Sequence, residues 1–242
     1  MPVDKSSDRV RQMFGRIAGR YDFLNHLLSL GIDHYWRWRT VRLVPPAGEL
    51  PILDVCTGTG DLALAYDRAA GRKTQIVAGD FCVEMLEIGR AKATKIGADS
   101  RIEFIEADAQ ALPVSSDAFQ IVCVAFGLRN VADTDQGLRE MTRACAPAGH
   151  VAVLEFSTPT WQPFKSIYGW YFRNILPRIG RLFARHAGDA YEYLPTSVGE
   201  FPQGEALADR MRAAGLAEIR RYPLTFGVAT LYVGKKQMTK PE

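Results

Sequence analysis

The chain of 242 residues lacks several features that would assign it to other protein classes. It contains no run of about eighteen apolar residues, so no segment is expected to span a membrane. The stretch from Asp4 to Arg11 is charged and lacks the apolar core of a signal peptide. The net charge of +3 is too small to indicate nucleic acid as a partner. These absences predict a cytoplasmic protein that does not bind nucleic acid.

Cysteine and histidine are also scarce, and neither has the spacing of a metal site or a disulfide framework. The cysteines are Cys56, Cys82, Cys123 and Cys145, and the histidines are His26, His34, His150 and His186. There is no C-x-x-C pair, and the histidines are scattered along the chain. We therefore expect buried, reduced thiols and no metal.

The most informative stretch is residues 51–61, where an apolar run is followed by Gly58 and Gly60 and then by a helical pattern. A strand that turns sharply into a helix across small residues leaves room for a ligand to approach the backbone closely. This glycine pattern is shared with dinucleotide-binding enzymes, so it does not identify the cofactor.

Acidic residues around these glycines narrow the choice of cofactor. Asp54 precedes the loop, Asp61 follows it, Asp80 closes the next strand and Asp108 follows the third. A carboxylate at Asp80 can accept hydrogen bonds from ribose hydroxyls, whereas Asp54 either binds ligand or holds the loop amides. So many carboxylates would repel a pyrophosphate and suit a cationic sulfonium and amine. We therefore favour S-adenosylmethionine (SAM) over NAD.

Strands and helices alternate through most of the chain, after helical patterns over residues 7–43 that include Asp33 as an N-cap. We predict strands at 51–56, 75–80, 101–106, 119–125 and 150–155, and helices at 60–70, 83–96 and 134–146. Such alternation with apolar strands is typical of a parallel sheet covered on both faces.

The end of the chain departs from this order. The predicted strands 216–223 and 228–234 are separated by only four residues, so they must pair antiparallel as a hairpin. The expected fold is α/β, a Rossmann-like class I SAM-methyltransferase sheet that is mostly parallel with an antiparallel C-terminal hairpin edge. We predict one domain, 1–242, with a helical N-terminal part (1–46), a SAM-binding core (47–156), a helical insert (157–203) and a C-terminal helix and hairpin (204–236).

Six segments carry a family resemblance. They are residues 14–25 (FGRIAGRYDFLN), 54–61 (DVCTGTGD), 125–130 (AFGLRN), 154–157 (LEFS), 176–180 (LPRIG) and 191–194 (YEYL). Through them the chain, from about residue 10 to 236, resembles the UbiE/MenG/COQ5 family of quinone C-methyltransferases.

The resemblance implies methylation of a ring carbon of a polyprenylated quinol, demethylmenaquinol to menaquinol in menaquinone biosynthesis, with a ubiquinone precursor as the alternative. It also implies SAM contacts at Thr59, Asp80, Asp108 and Ala109, beside the glycine loop. Ala125 stands where some members that serve both quinones have serine, which favours a menaquinone-only enzyme. Other small-molecule methyltransferases and a non-catalytic SAM-binding scaffold stay open.

Methylation of a ring carbon needs alignment of the reacting atoms, a base and a group that stabilises the phenolate. Arg129 is expected to stabilise the phenolate, with a surface ion pair as the alternative. Tyr21 is expected to line the site. Glu155, at a strand end, is the candidate base unless it bonds loop backbone. Asn130 either caps the next helix or contacts the ligand.

Residues 161–185 interleave aromatic side chains with arginines, namely Arg173, Arg178, Arg181 and Arg185. This pattern favours a surface that receives the isoprenoid tail and rests on the anionic inner face of the membrane. A lid packed on the sheet is the alternative. Tyr193 is a candidate for stacking on the substrate ring or for plain packing, and a homodimer is left open.

Overall fold

The structure is a computed structural model built around one seven-stranded sheet. It describes residues 7–163, 165, 166, 169, 170, 174 and 188–238. The strands are β1 (Ile52–Val55), β2 (Ile76–Asp80), β3 (Ile102–Glu106), β4 (Phe119–Ala125), β5 (Cys145–Phe156), β6 (Leu216–Leu224) and β7 (Ala229–Lys236). Their spatial order is β3-β2-β1-β4-β5-β7-β6.

Helices connect and cover these strands. They are α1 (Ser7–Leu28), α2 (Ile32–Leu43), α3 (Asp61–Ala69), α4 (Val83–Lys95), α5 (Thr134–Ala144), α6 (Gly188–Glu200) and α7 (Glu205–Ala213). Two short 3-10 turns follow β4 and β6, at Leu128–Asn130 and Thr225–Gly227. In the described part of the chain, every helix is too short or too polar to cross a bilayer.

The predicted sheet is confirmed. Strands β1 to β5 pair in parallel, and β7 runs antiparallel to both β5 and β6. The connection at Thr225–Gly227 is too short for a crossover helix, which is why β6 and β7 form a hairpin. Strand β7 lies between β5 and β6, so β6 alone forms that edge of the sheet.

The boundary between α5 and β5 is predicted wrongly, and α5 ends at Ala144 and not at residue 146. Strand β5 starts at Cys145 and not at residue 150, because Cys145 already pairs with Phe119. The residues expected to form a turn produce an irregularity inside the strand: Ala148 has φ 62°, and the next pairing joins His150 to Ile121. Pairing with a neighbouring strand thus overrides the local turn signal of Pro147 and Gly149.

The core lies on both faces of the sheet. Alternate residues of a strand point to opposite faces, so Ile52 packs with Leu62 and Leu86 while Leu53 packs with Leu138 and Met211. Helices α2, α3 and α4 therefore cover one face, and α5 and α7 cover the other. The polar residues at the strand ends lie at the edge of the sheet where β1 to β4 finish, and we call this the carboxyl edge.

Helices α1 and α2 form the helical N-terminal part that the sequence predicts. Helix α1 contacts α2 and α4, and its residues Ala18 and Tyr21 pack near Met85 at the start of α4. Asp33 is not an N-cap, since α2 begins at Ile32 and no side chain caps it. The predicted insert is described only in part, and the single-domain organisation stays a prediction.

Candidate active site

The glycine loop, residues 56–60, connects β1 to α3 at the carboxyl edge. Gly58 and Gly60 have left-handed backbone angles, with φ of 57° and 82°. A Cβ atom at Gly60 would also lie 3.0 Å from the ring of Phe104. Glycine meets both demands without strain, and the loop therefore turns sharply into α3.

Asp54 lies at the end of β1 beneath this loop and is 1% exposed. Its Oδ2 atom accepts hydrogen bonds from the Thr57 hydroxyl (2.6 Å) and the Ala63 amide (3.1 Å). Burial raises the pKa of the Asp54 carboxyl to about 7. The carboxyl thus holds the protein's own loop, and it also contributes to the wall of a cavity described below.

Asp80 ends β2 and faces the same loop. One carboxylate oxygen accepts a hydrogen bond from the Gly58 amide at 2.8 Å, and the other accepts one from the Cys82 amide at 2.9 Å. Burial raises the pKa of this carboxyl as well. Each oxygen keeps a second lone pair, so Asp80 can accept further hydrogen bonds from a ligand's hydroxyls.

A narrow cavity starts at Asp80 and runs along the ends of β2, β3 and β4; we call it the acid cavity. Its wall includes Tyr21, Gly58, Asp80, Asp108, Ala109 and Asn130. Asp108 is fixed by a hydrogen bond from the Gln110 amide at 2.9 Å. The described wall holds two carboxylates and no cationic side chain, so it suits a cation or a hydroxyl-bearing ligand.

Asn130 belongs to this wall and does not cap the following helix. Asp133 caps α5 by accepting a hydrogen bond from the Gln136 amide at 2.9 Å. The Oδ1 atom of Asn130 is buried and has no hydrogen-bond partner among the described residues. An unpaired buried acceptor costs about 1–3 kcal/mol, and a ligand that donates a hydrogen bond there removes this cost.

A second cavity of about 500 Å³ adjoins the first, and we call it the aromatic cavity. Three rings in its wall, Trp36, Phe126 and Phe156, pack with centroids 4.5 to 5.9 Å apart. Arg37 and Arg129 also line it. The two cavities share Tyr21, Cys56, Gly58, Ala125 and Phe126. A single extended ligand can therefore occupy parts of both.

The backbone at this junction is strained. Cys56 and Phe126, which follow β1 and β4, have left-handed φ values of 51° and 59°. Such a conformation costs a non-glycine residue on the order of 1–3 kcal/mol. Gly127 lies so close to Cys56 that a Cβ atom would be 2.4 Å from the Cys56 Cβ. This close approach places Phe126 in the walls of both cavities.

Arg129 lies in the 3-10 turn after β4, with its guanidinium 5.3 Å from the centroid of the Phe156 ring. Its Nη1 atom lies 3.2 Å from Glu155 Oε2 and also donates to the Phe126 carbonyl. Both Arg129 and Glu155 are buried. The ion pair considered from the sequence exists, but it is buried and not on the surface.

The contacts of Glu155 favour the alternative drawn from the sequence, hydrogen bonds to loop backbone, over a role as general base. Glu155 is 1% exposed and is absent from the described walls of both cavities. Its carboxylate accepts hydrogen bonds from the amides of Arg129 and Phe156 and from Arg129 Nη1, at 3.1 to 3.2 Å. This enclosed carboxylate holds Arg129 in place.

Tyr21 lies where sequence reasoning expects it, in the walls of both cavities. Its ring meets that of Phe14 edge-on, with centroids 5.9 Å apart. Burial raises the pKa of the Tyr21 phenol, and the nearby cations Arg129 and Arg37 only partly oppose this. The phenol therefore stays protonated near neutral pH and can donate a hydrogen bond to a ligand.

Thr59 links the glycine loop to two helices. Its hydroxyl donates to Asp22 at 2.5 Å and accepts from Lys92 Nζ at 3.0 Å. Lys92 also forms ion pairs with Asp22 (2.6 Å) and Asp61 (2.7 Å). Sequence reasoning missed Lys92, because Asp61 and Thr59 are 31 and 33 residues away and no local pattern marks the contact.

Two histidines come together at the turn between α1 and α2, contrary to the expectation of scattered histidines. His26 and His34 stack 4.2 Å apart, and their ligand atoms lie with those of Asp33 within 4.8 Å of one another. Asp33 already accepts hydrogen bonds from His26, Ser29 and Arg37. Burial would raise its pKa, but the bonds from Ser29 and Arg37 lower the pKa to about 2.

Other expected residues have less to do with the site. Cys82, Cys123 and Cys145 are buried free thiols, and Cys56 is a partly buried one. Tyr193 has a buried hydroxyl without a partner among the described residues and is absent from the described cavity walls. Most of residues 161–185, including Arg173, Arg178, Arg181 and Arg185, lies outside the described residues.

The fold and the site define a class I SAM-dependent methyltransferase. The carboxylates of Asp54, Asp80 and Asp108 together complement the positive sulfonium and ammonium groups of SAM and can accept hydrogen bonds from its ribose hydroxyls. The unpaired oxygen of Asn130 can accept a hydrogen bond from a donor on the ligand. The model of the ubiE/COQ5 methyltransferase family matches residues 3–236. The chain belongs to this methyltransferase family, which confirms SAM over NAD as the cofactor.

Curated relatives cover nearly the whole chain. It is 48% identical over 225 residues to "Demethylmenaquinone methyltransferase" of Thermus thermophilus, covering 93% of this chain and 100% of the relative. It is 43% identical over 234 residues to "Ubiquinone/menaquinone biosynthesis C-methyltransferase UbiE" of a Geobacter species, covering 97% and 99%.

Solved structures are similar in fold. A SAM-dependent methyltransferase from Thermotoga maritima, described as a possible histamine N-methyltransferase, has a TM-score of 0.64 at 16% identity, covering 93% of this chain and 99% of that one. The Haemonchus contortus phosphoethanolamine N-methyltransferase 2 in complex with SAM has a TM-score of 0.61 at 13% identity, covering 84% and 52%. At these identities the likeness concerns the fold alone.

Proposed function

We propose that this enzyme methylates a ring carbon of a polyprenylated quinol, converting demethylmenaquinol to menaquinol. Relatives from Thermus thermophilus and Porphyromonas gingivalis carry the name demethylmenaquinone methyltransferase, at 48% and 40% identity. The observation that carries the proposal is the aromatic cavity, in which a buried arginine lies beside three packed rings. A flat aromatic substrate with an acidic hydroxyl matches both features.

Arg129 supplies the electrostatic part of the mechanism. SAM, when bound, supplies an electrophilic methyl group on its sulfonium. A ring carbon attacks that methyl group well only after a neighbouring hydroxyl loses its proton to solvent, and the methylated carbon then releases its own hydrogen as a proton, which restores the aromatic ring and the hydroxyl. A guanidinium beside the hydroxyl lowers the pKa of the phenol and stabilises the phenolate. Glu155 keeps the guanidinium in position through the contacts described above.

Tyr21 and the aromatic rings supply alignment. Tyr21 is in both walls and can contact the cofactor side and the substrate side together. Trp36, Phe126 and Phe156 hold the flat ring and keep water away from the reacting atoms. Good alignment of two reactants contributes on the order of 7–11 kcal/mol, so these side chains matter although they donate no proton.

Mass spectrometry of the product tests the proposal directly. The purified enzyme is incubated with SAM and a short-tailed demethylmenaquinol, and the quinone fraction should gain one methyl group on the ring. Menaquinol, whose ring position is already methylated, is the matched control and should stay unchanged. No methylated product, although SAM binds by calorimetry, would overturn the proposal and favour the non-catalytic scaffold.

A ubiquinone precursor is the second candidate substrate, because the Geobacter relatives are named for both quinones. Ala125 lines both cavities at the position where the resemblance implies serine in some enzymes that serve both quinones. An alanine methyl group cannot donate a hydrogen bond. Offering both quinols in one reaction mixture measures the preference, and we expect the demethylmenaquinol product to dominate.

We also propose that the enzyme meets its substrate at a membrane surface, because a polyprenyl tail stays in the bilayer. Two exposed rings support this: Trp161 and Phe226 stack 6.1 Å apart, and Phe226 lines the aromatic cavity. Interfacial aromatic residues favour the headgroup region. Flotation with anionic vesicles should carry the wild-type enzyme, and less of the Trp161→Ser/Phe226→Ser variant. Equal flotation would oppose this role.

A further inference from the structure

A second arginine lines the aromatic cavity, and the mechanism above does not use it. Arg37 projects from α2, and its side chain is 11% exposed. Among the described wall residues of the two cavities, Arg37 and Arg129 are the cationic side chains. Arg129 is already paired with Glu155. Arg37 is the cation in the cavity wall that has no role in the proposed mechanism.

The guanidinium of Arg37 is held along one edge. Its Nη1 atom donates to Asp33 Oδ2 at 2.5 Å. Its Nη2 atom lies 3.6 Å from Asp61 Oδ2, which is too long for a hydrogen bond. Two carboxylates thus fix the orientation of the planar group, and Nη2 makes no hydrogen bond among the described residues, although Arg37 lines the aromatic cavity. Such a geometry suits a second planar anion.

The position of Arg37 matches one end of the cofactor. The acid cavity, with Asp80 and Asp108, suits the adenosine half, and it joins the aromatic cavity at Tyr21 and Gly58. An amino-acid half that continues from this junction along the glycine loop reaches Asp61, where Arg37 lies. That half carries an ammonium, which the loop acids suit, and a carboxylate, which they would repel.

We propose that Arg37 binds the carboxylate of the methionine half of SAM. Asp33 and Asp61 act as positioning residues for its guanidinium. Arg37 thus gives the two cavities, whose walls carry several carboxylates, one place where a negatively charged group of the cofactor is attracted. It also lets the site distinguish SAM from cationic analogues that lack the carboxylate. This assignment concerns the cofactor alone and does not depend on which quinol is the substrate.

Calorimetric titration with two ligands tests the assignment. One is SAM and the other is decarboxylated SAM, which keeps the sulfonium and the amine and lacks the carboxylate. The wild-type enzyme should bind SAM more tightly by about 10- to 100-fold, the range expected when charge-assisted hydrogen bonds are lost. Arg37→Met should bind both ligands alike, with the affinity of the wild-type enzyme for decarboxylated SAM.

Arg42→Met is the matched control. It removes the same charge from the same helix, but Arg42 lies over the exposed ring of Trp38, at 5.7 Å. This variant should keep the preference for SAM. Because Arg37→Met leaves Asp33 buried without its cation, Asp33→Asn/Arg37→Met is tested as well. It removes both charges, and circular dichroism confirms that each variant is folded.

Three results would overturn the proposal. Folded Arg37 variants could keep the full preference for SAM, which would place the carboxylate elsewhere. They could lose affinity for both ligands equally, which would mean that Arg37 only supports the loop. They could bind both ligands as the wild type does and raise only the KM for the quinol, which would make Arg37 a substrate-binding residue.

Discussion

The buried pair of Arg129 and Glu155 can be tested by Glu155→Gln, which keeps the size of the side chain and removes its charge. In the folded protein three N–H groups, two from Arg129 and the amide of Phe156, donate to the carboxylate. A glutamine has one acceptor oxygen, and its NH2 group would face at least one of these donors. The guanidinium would also remain buried without its counter-charge.

The expected loss of stability is large. Hydrogen bonds to a charged group contribute about 1.5–3 kcal/mol each, and breaking a buried ion pair from one side costs about 3–5 kcal/mol. We expect Glu155→Gln to lower the free energy of unfolding by about 3–5 kcal/mol. Domains are typically stable by about 5–15 kcal/mol. For a chain of this length the loss would lower Tm by roughly 6–20 °C.

Urea unfolding followed by circular dichroism measures this loss, and Glu155→Leu/Arg129→Met is the matched control. Replacing both partners with apolar side chains removes the unpaired charge, so the double variant should regain most of the stability while staying inactive. The opposite result would refute our reasoning. If Glu155→Gln abolished turnover and cost less than about 1 kcal/mol, Glu155 would be a base and not the support of Arg129.

Three further predictions concern the loop and its acids. Asp80→Ala should weaken SAM binding by about 1–3 kcal/mol by calorimetry, because ligand hydroxyls and the Gly58 amide lose a charged acceptor. The affinity for SAM should rise between about pH 6 and 8, since the Asp54 pKa of about 7 means that the attracting anion forms in this range. Gly127→Ala should destabilise the protein by about 1–3 kcal/mol, because its methyl group would overlap Cys56.

The pH prediction has a counterpart in stability. The folded pKa of Asp54 is raised above its unfolded value of about 3.9, so its contribution to stability is fully present below that value. It is lost as pH rises through about 7. Asp54→Asn should flatten the pH dependence both of SAM affinity and of stability. If the pH profiles of Asp54→Asn ran parallel to those of the wild type, the titration of Asp54 would not explain the pH dependence of SAM affinity or of stability.

A specific result would also contradict each of the predictions for Asp80 and Gly127. Unchanged affinity in Asp80→Ala would take Asp80 out of the cofactor site. For Gly127→Ala the control is Gly19→Ala, where an added methyl group would meet nothing within 4 Å. Equal stability of the two glycine variants would show that the junction between Cys56 and residue 127 is not tightly packed.

Much of the fold could be read from local patterns. Apolar strands alternating with helices predict a parallel sheet, and a four-residue connection requires a hairpin, because it is too short for a crossover helix. The positions of Asp80 and Asp108 also followed from the sequence, since parallel strands end at a common edge. The start of β5 did not follow, because Cys145 pairs with Phe119 against its own turn signal.

The chemistry of single side chains was harder to predict. Glu155 lies at a strand end like the other acids, yet neighbouring amides and Arg129 enclose it. No sequence pattern near Glu155 indicates that its carboxylate is enclosed. Arg37 had one local signal, its spacing of four from Asp33 on a helix. Lys92 had none, because its partners come from two other parts of the chain.

The sequence by itself determined the sheet, the glycine loop and the row of acids at the carboxyl edge, because these depend on period, turn length and strand direction. Tertiary structure alone decided which of those charges are enclosed and which face a cavity. Burial and ion pairing depend on distance in space between residues far apart in the chain. They make Glu155 a support for Arg129, and they leave Nη2 of Arg37 without a hydrogen bond among the described residues, in the wall of the aromatic cavity.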